Sequence, residues 1–146
     1  MTSTDSQYGI IWLTRRLFQA LAQVSNQNLA EHGITASHRA VMEFLYPEDR
    51  MTMSDVARKH NVTRQHIQVV ANELLDMGLL ESHINPASKR APHLALSKKG
   101  CKLFEKIRKQ EASVIEGIFY EISPRNVEIT RKTLQALLEN TKSHIQ

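Results

Sequence analysis

The side chains in this chain that are best suited to chemistry are hydrogen-bonding groups on one predicted helix. In residues 63–77, apolar side chains recur at helical spacing and predict a buried stripe made of Ile67, Val70, Ala71, Leu74 and Leu75. The opposite face then carries Arg64, Gln65, His66, Gln68 and Asn72, with Thr63 as the helix cap. Arginine can donate two hydrogen bonds to guanine, and an amide can pair with adenine, so this face is suited to reading base edges in a major groove. An ordinary solvated helix face would carry the same residue types.

A predicted hairpin follows this helix and decides between the two interpretations. Its strands are expected at 79–84 and 93–96, and the loop between them contains Lys89 and Arg90. Upstream, we expect a two-turn helix capped by Ser54 and a short strand at 51–53. A helix, a turn, a groove-facing helix and a basic hairpin loop, in that order, are the parts of a DNA-binding unit. We therefore expect all eight polar residues, Thr63, Arg64, Gln65, His66, Gln68, Asn72, Lys89 and Arg90, to contact DNA.

Positive charge is concentrated in the middle of the chain. Residues 50–108 contain eleven Lys and Arg against five Asp and Glu, whereas residues 1–49 contain three against five and residues 109–146 contain five against five. Neutralising phosphates and releasing their counterions is the sequence-independent part of DNA affinity. The charge distribution therefore favours DNA as the partner.

This central region resembles the winged helix-turn-helix core of the MarR family, the multiple antibiotic resistance regulators. The matching pieces are Val62-Thr63-Arg64, Leu74 to Leu80, the wing as far as Arg90, and Leu96-Ser97-Lys98-Lys99-Gly100. The resemblance implies a mainly α fold with a small β-hairpin wing and terminal helices that form a dimerisation arm. It also implies that Arg90 is the wing-tip arginine. Many members place Asp two residues before that arginine, and this chain has Ser88 there.

The two ends of the chain read as long amphipathic helices. We expect one helix at about 8–31 and further helices within 101–146 as dimerisation helices, around a DNA-binding lobe at 35–100, all in a single domain of 1–146. A two-fold dimer would place its recognition helices on half-sites about 34–36 Å apart, which predicts an inverted-repeat operator in double-stranded DNA. The expected function is a homodimeric repressor released by a small molecule. The alternative is a winged-helix module that binds another protein.

A small aromatic or phenolic ligand is a further partner that the resemblance implies. The candidate lining residues come from the first two helices and are Tyr8, Trp12, Arg16, His38, Met42 and Phe44. Their ordinary role would be packing, because apolar stripes at helical spacing are usually core.

Other classes of function find little support in the sequence. The single cysteine, Cys101, excludes an internal disulfide, and although Lys98, Lys99 and Lys102 could lower its thiol pKa, an inert cysteine is the favoured interpretation. His83 and His93 are expected to meet across the hairpin, but no third ligand has convincing spacing for zinc. We expect no metal, no cofactor, no enzymatic activity, no membrane span and a cytoplasmic location.

Overall fold

The computed structural model describes residues 2–146, which form six helices and one two-stranded sheet. In chain order the elements are α1 (Ser3–Ala30), α2 (Ala36–Leu45), α3 (Met53–His60), α4 (Arg64–Asp76), β1 (Leu80–His83), β2 (His93–Leu96), α5 (Lys98–Ile118) and α6 (Pro124–Lys142). The mainly α fold with a hairpin wing is therefore confirmed. Over the described residues, no helix is both long enough and apolar enough to cross a bilayer.

The chain divides into two compact units. The first ends at Lys109, and the second spans Gln110–Gln146. The first unit contains a core built from all of its elements, in which the largest fully buried side chains are Phe104, Leu29, Met42, Leu45, Ile67, Leu74, Leu94, Val41 and Val56. The second unit has no fully buried side chain among the residues of α6.

Helix α4 follows its predicted apolar stripe. Ile67, Val70, Ala71 and Leu74 are buried, and Leu75 is half-buried against the same core. Thr63 caps the helix by accepting a hydrogen bond from the His66 backbone N–H at 3.1 Å. Burial of these apolar side chains fixes the orientation of α4, so its opposite, polar face stays in solvent.

Two predicted helix starts are wrong, and capping boxes explain both. Helix α1 begins at Ser3 and not near Tyr8, because Thr2 and Asp5 satisfy each other's backbone N–H groups. Helix α3 is capped by Thr52 and not by Ser54, because Asp55 lies three residues after Thr52 and completes the same motif. Hydrogen bonds to the Asp55 carboxylate from the Thr52 hydroxyl and from the Thr52 backbone N–H lower the pKa of that carboxyl.

The predicted strand at 51–53 is a single bridge. Met51 pairs with Leu94 through both backbone groups, with N···O distances of 3.1 and 2.7 Å, and α3 has already begun at Met53. A longer strand does not form, because the Thr52 backbone N–H is already bonded to Asp55 in the capping box that starts α3. The hairpin itself has the register Leu80↔Leu96 to His83↔His93, so the two histidines do face each other.

The start of α5 is locked to the end of α4. The Ser97 hydroxyl donates to the Gly78 carbonyl at 2.6 Å and accepts from the Gly100 N–H at 3.0 Å. Gly100 packs so closely on Leu79 that a Cβ there would overlap the Leu79 carbonyl oxygen. The Ser97-Lys98-Lys99-Gly100 sequence therefore fixes where the hairpin returns to the helices.

Candidate nucleic-acid interface

The outer face of α4 is polar except for one apolar side chain. Arg64, Gln65, His66, Gln68 and Asn72 are all exposed. Val69, among them, leaves 54% of its surface in solvent. The structure thus brings these predicted residues together on one helix and leaves their donors and acceptors available to a ligand.

The turn before α4 shapes the entrance to this surface. Asn61 takes the left-handed conformation at φ 55°, and the Val62 N–H donates to the Ala57 carbonyl at 3.1 Å. Asparagine tolerates this backbone region better than most residues, which lets the chain reverse between α3 and α4. No acidic side chain occupies the first turn of α4, so its positive end is not neutralised from within.

A groove of about 440 Å³ lies between α3 and α4, and one arginine from each helix lines it. Its walls are Ser54, Ala57, Arg58, Asn61, Val62 and Arg64. Sequence reasoning missed Arg58, whose guanidinium donates to Asp55 and whose side chain is 74% exposed. Arg58 lies in the last turn of α3, directly before the chain reverses into α4, and this position could have identified it from the sequence.

The wing loop is organised by Asn85, which is only 7% exposed. Its side-chain Nδ2 donates to the Ala91 carbonyl at 2.8 Å, and its Oδ1 accepts from the Ala87 N–H at 3.0 Å. The Ser88 N–H adds a bond to the Asn85 carbonyl at 3.1 Å. The loop therefore has a defined shape without the usual aspartate at Ser88, and Lys89 and Arg90 remain exposed on it.

The six predicted effector residues occupy two different environments. Tyr8 and Trp12 are exposed on α1, and the Arg16 guanidinium stacks over the Trp12 ring at 4.8 Å. Met42 and His38 are buried, and Phe44 is half-buried with its ring 5.7 Å from that of His60. The structure brings Trp12 and Arg16 together, whereas it places Met42 in the core.

The groups around Cys101 disfavour its thiolate form. Burial raises the pKa of the Cys101 thiol, and the carboxylates of Glu105, Glu48 and Glu81 raise it further, so the lysines do not dominate its environment. Across residues 2–146, no group of three or more His, Cys, Asp or Glu side chains is placed to hold a metal ion.

Comparison with known proteins agrees with this geometry. The sequence profile of the MarR family matches residues 32–91. The HTH-type transcriptional regulator PetP of Rhodobacter capsulatus is 26% identical over 76% of this chain and 67% of its own length. An uncharacterized protein of Mycobacterium bovis is 30% identical over 64% of this chain and 65% of its own, so the chain spans about two thirds of the length of these relatives.

Solved structures extend the likeness to nearly all of the chain. A MarR family transcription regulator superposes with a TM-score of 0.90 at 23% identity, covering 96% of this chain and 93% of its own. A mutant of S. aureus MepR bound to an oligodeoxyribonucleotide superposes with a TM-score of 0.65 at 19% identity, covering 90% of this chain and 97% of its own. Residues 32–91 match the family profile, and the same fold continues on both sides of that segment, so sequence and fold together support a MarR-family winged helix-turn-helix protein.

Proposed function

We propose that this protein is a homodimeric repressor that binds an inverted-repeat operator in double-stranded DNA and leaves it when a small aromatic or phenolic molecule binds. The observation that carries the DNA part is the division of α4, with an apolar stripe buried and amide and guanidinium groups exposed. The predicted contacts are Thr63, Arg64, Gln65, His66, Gln68 and Asn72 in the major groove, with Lys89 and Arg90 on the wing. The DNA-bound MepR neighbour supports this use of the fold.

The dimer is supported by apolar surface that each unit leaves uncovered. In the first unit, the exposed apolar side chains on α1 include Ile10, Ile11, Leu13, Leu17, Phe18, Leu21 and Val24. In the second unit, they include Ile115, Ile118, Phe119, Ile122, Ile129, Leu134 and Leu138. Exposed apolar side chains in this number mark an interaction site, and a second copy is the simplest partner that can cover them.

The DNA-binding part is tested by titrating labelled DNA with the wild-type protein and single variants at several salt concentrations. The DNA comes from selection in a random-sequence pool. We expect steep weakening with salt, because binding a polyanion releases counterions. Arg64→Ala should relax base preference, with a loss of about 1–3 kcal/mol on the selected site, whereas Lys89→Ala should weaken all sequences alike and reduce the salt slope by about 1.

Lys142→Ala is the matched control, since it removes the same charge from a residue outside the predicted contacts. It should leave affinity and salt slope close to wild type. If no sequence is enriched and salt has little effect, the DNA function is contradicted, and a protein-binding winged helix becomes the better account of the exposed α4 face.

Effector release is tested with the only tryptophan as the reporter. Trp12 and Arg16 form an exposed aromatic and cationic pair, which suits an aromatic anion through stacking and charge. Benzoate titration should change Trp12 fluorescence and release operator DNA at the same concentrations, and Arg16→Gln should weaken both effects. A fluorescence change without DNA release would contradict regulation through these residues. Regulation of this kind belongs in the cytoplasm, where we propose the protein acts.

A further inference from the structure

A buried histidine connects helix α2 to the recognition helix. The His38 residue is 5% exposed, and its Nε2 lies 2.6 Å from Oε2 of Glu73 on α4. Glu73 is three residues after Val70 and one after Asn72, at the border between the buried and exposed faces of that helix. The contact therefore ties the core side of α2 to the margin of the surface proposed to enter DNA.

The other ring nitrogen of His38 fixes the direction of this bond. The Thr35 backbone N–H donates to Nδ1 at 3.0 Å as part of the capping box that starts α2. Because Nδ1 accepts, the ring hydrogen of the neutral imidazole lies on Nε2, and Nε2 is the donor to Glu73. A single tautomer thus caps one helix and holds another.

Apolar packing alone would leave α4 less well defined. The stripe of Ile67, Val70, Ala71 and Leu74 holds the helix by burial, which is non-directional and tolerates a small roll about the helix axis. A hydrogen bond at the edge of the stripe has a fixed length and direction, so it selects one rotation. Base readout needs this, because side chains about 1 Å out of place lose their paired hydrogen bonds.

We infer that His38 and Glu73 are positioning residues that set the rotation of α4 for base readout, through a neutral His38 with its proton on Nε2. This inference rests on the proposed DNA-binding function. It gives the buried histidine a role within the DNA-binding unit, apart from any effector.

The sign of the effect of Glu73→Ala separates positioning from charge. Removing a carboxylate from a helix that faces phosphates should strengthen DNA binding if only charge matters. If Glu73 positions α4, its loss should instead weaken binding to the selected sequence, by about 5–10-fold for a charge-assisted hydrogen bond of which part is transmitted to the interface. Asp76→Ala is the matched control, because it removes the same charge from an exposed residue of the same helix.

Glu73→Gln tests whether the acceptor is what counts. The amide oxygen can still accept from Nε2 while the charge is gone, so this variant should bind at least as tightly as wild type. The affinities should therefore rank Glu73→Gln and Asp76→Ala at or above wild type, and Glu73→Ala below it. All variants are compared at a temperature where circular dichroism shows the same helix content.

Long-range ¹H–¹⁵N NMR of the full chain at pH 8 supplies the second readout. The expected spectrum shows His38 as the Nε2–H tautomer, and Glu73→Ala should shift its Nε2 resonance. Binding by Glu73→Ala equal to that by Asp76→Ala, or a proton found on Nδ1, would overturn the inference. Failure of wild type to enrich any sequence would instead contradict the proposed function itself.

Discussion

Val69 is the one apolar side chain on the exposed face of α4, and its chemistry implies a particular base. With 54% of its surface exposed among amide neighbours, it can contact the methyl group of thymine in the major groove. Replacing thymine by uracil at single positions of the selected site removes only that methyl. We expect one position per half-site at which uracil weakens wild-type binding about 3–10-fold, in line with a buried methyl group.

Replacing thymine by uracil should not change the DNA affinity of Val69→Ala, because that variant no longer contacts the methyl group. This double comparison isolates the methyl from any change in DNA shape. If uracil is tolerated at every position by the wild type, Val69 does not read thymine.

Cys101 illustrates how a local charge pattern misleads at the residue scale. Three lysines lie near it in sequence, yet burial and three carboxylates raise the pKa of its thiol. Since the thiolate is the reactive form, we expect iodoacetamide at pH 7.5 to alkylate the native protein at least about 5-fold more slowly than the urea-unfolded chain. Mass spectrometry of timed samples measures both rates. Equal or faster reaction of the native thiol would show that its environment activates it.

At the scale of single elements, apolar periodicity predicts where the helices lie but not every detail that shapes the site, such as the residue at which α3 begins. The buried stripe of α4 and the cap at Thr63 follow from spacing alone. Helix α3 begins two residues before the start that a Ser54 cap predicts, because Ser54 and Thr52 are both good caps and only the position of Asp55 decides between them.

The wing shows a different limit. Ser88 stands where many MarR family members have Asp, and the loop is held instead by Asn85 through bonds to Ala87 and Ala91. Asparagine is common in every kind of loop, so its type did not reveal that its amide would be buried and bonded on both sides. The His38–Glu73 bond was equally hidden, since thirty-five residues separate the partners.

The junction between α4 and α5 gives a prediction for one element with an internal control. Gly→Ala within a helix commonly stabilises a protein by about 0.5–1 kcal/mol. Gly100→Ala should instead lower the free energy of unfolding by about 1–3 kcal/mol, because its Cβ would overlap the Leu79 carbonyl and force the backbone apart. Urea denaturation measures this.

Gly117→Ala is the control on the same helix, where an added Cβ meets nothing within 4 Å. It should be neutral or slightly stabilising. Equal effects of the two substitutions would mean that the close approach of Gly100 to Leu79 does not constrain the junction.

At the scale of the whole molecule, the proposed operator geometry depends on dimerisation. Leu17 is exposed on α1 and lies outside the core of the first unit, so Leu17→Glu should spare the fold of the protomer while placing a charge in the proposed interface. We expect analytical ultracentrifugation to find wild type as a dimer and Leu17→Glu as a monomer at micromolar concentration. Gln27→Glu adds the same charge at an exposed polar position of α1 and should remain dimeric.

The DNA should report the same assembly independently. Two recognition helices joined by one dimer address half-sites about 10–10.5 base pairs apart, so inserting 5 base pairs between them turns the second half-site to the opposite side of the duplex. Wild type should bind the lengthened DNA only slightly more tightly than it binds a single half-site, because the second contact no longer benefits from being tethered to the first. Leu17→Glu, as a monomer, should bind the original and the lengthened DNA equally. If wild type binds both with the same affinity, its two recognition helices do not act as one unit, and an inverted-repeat operator is the wrong target.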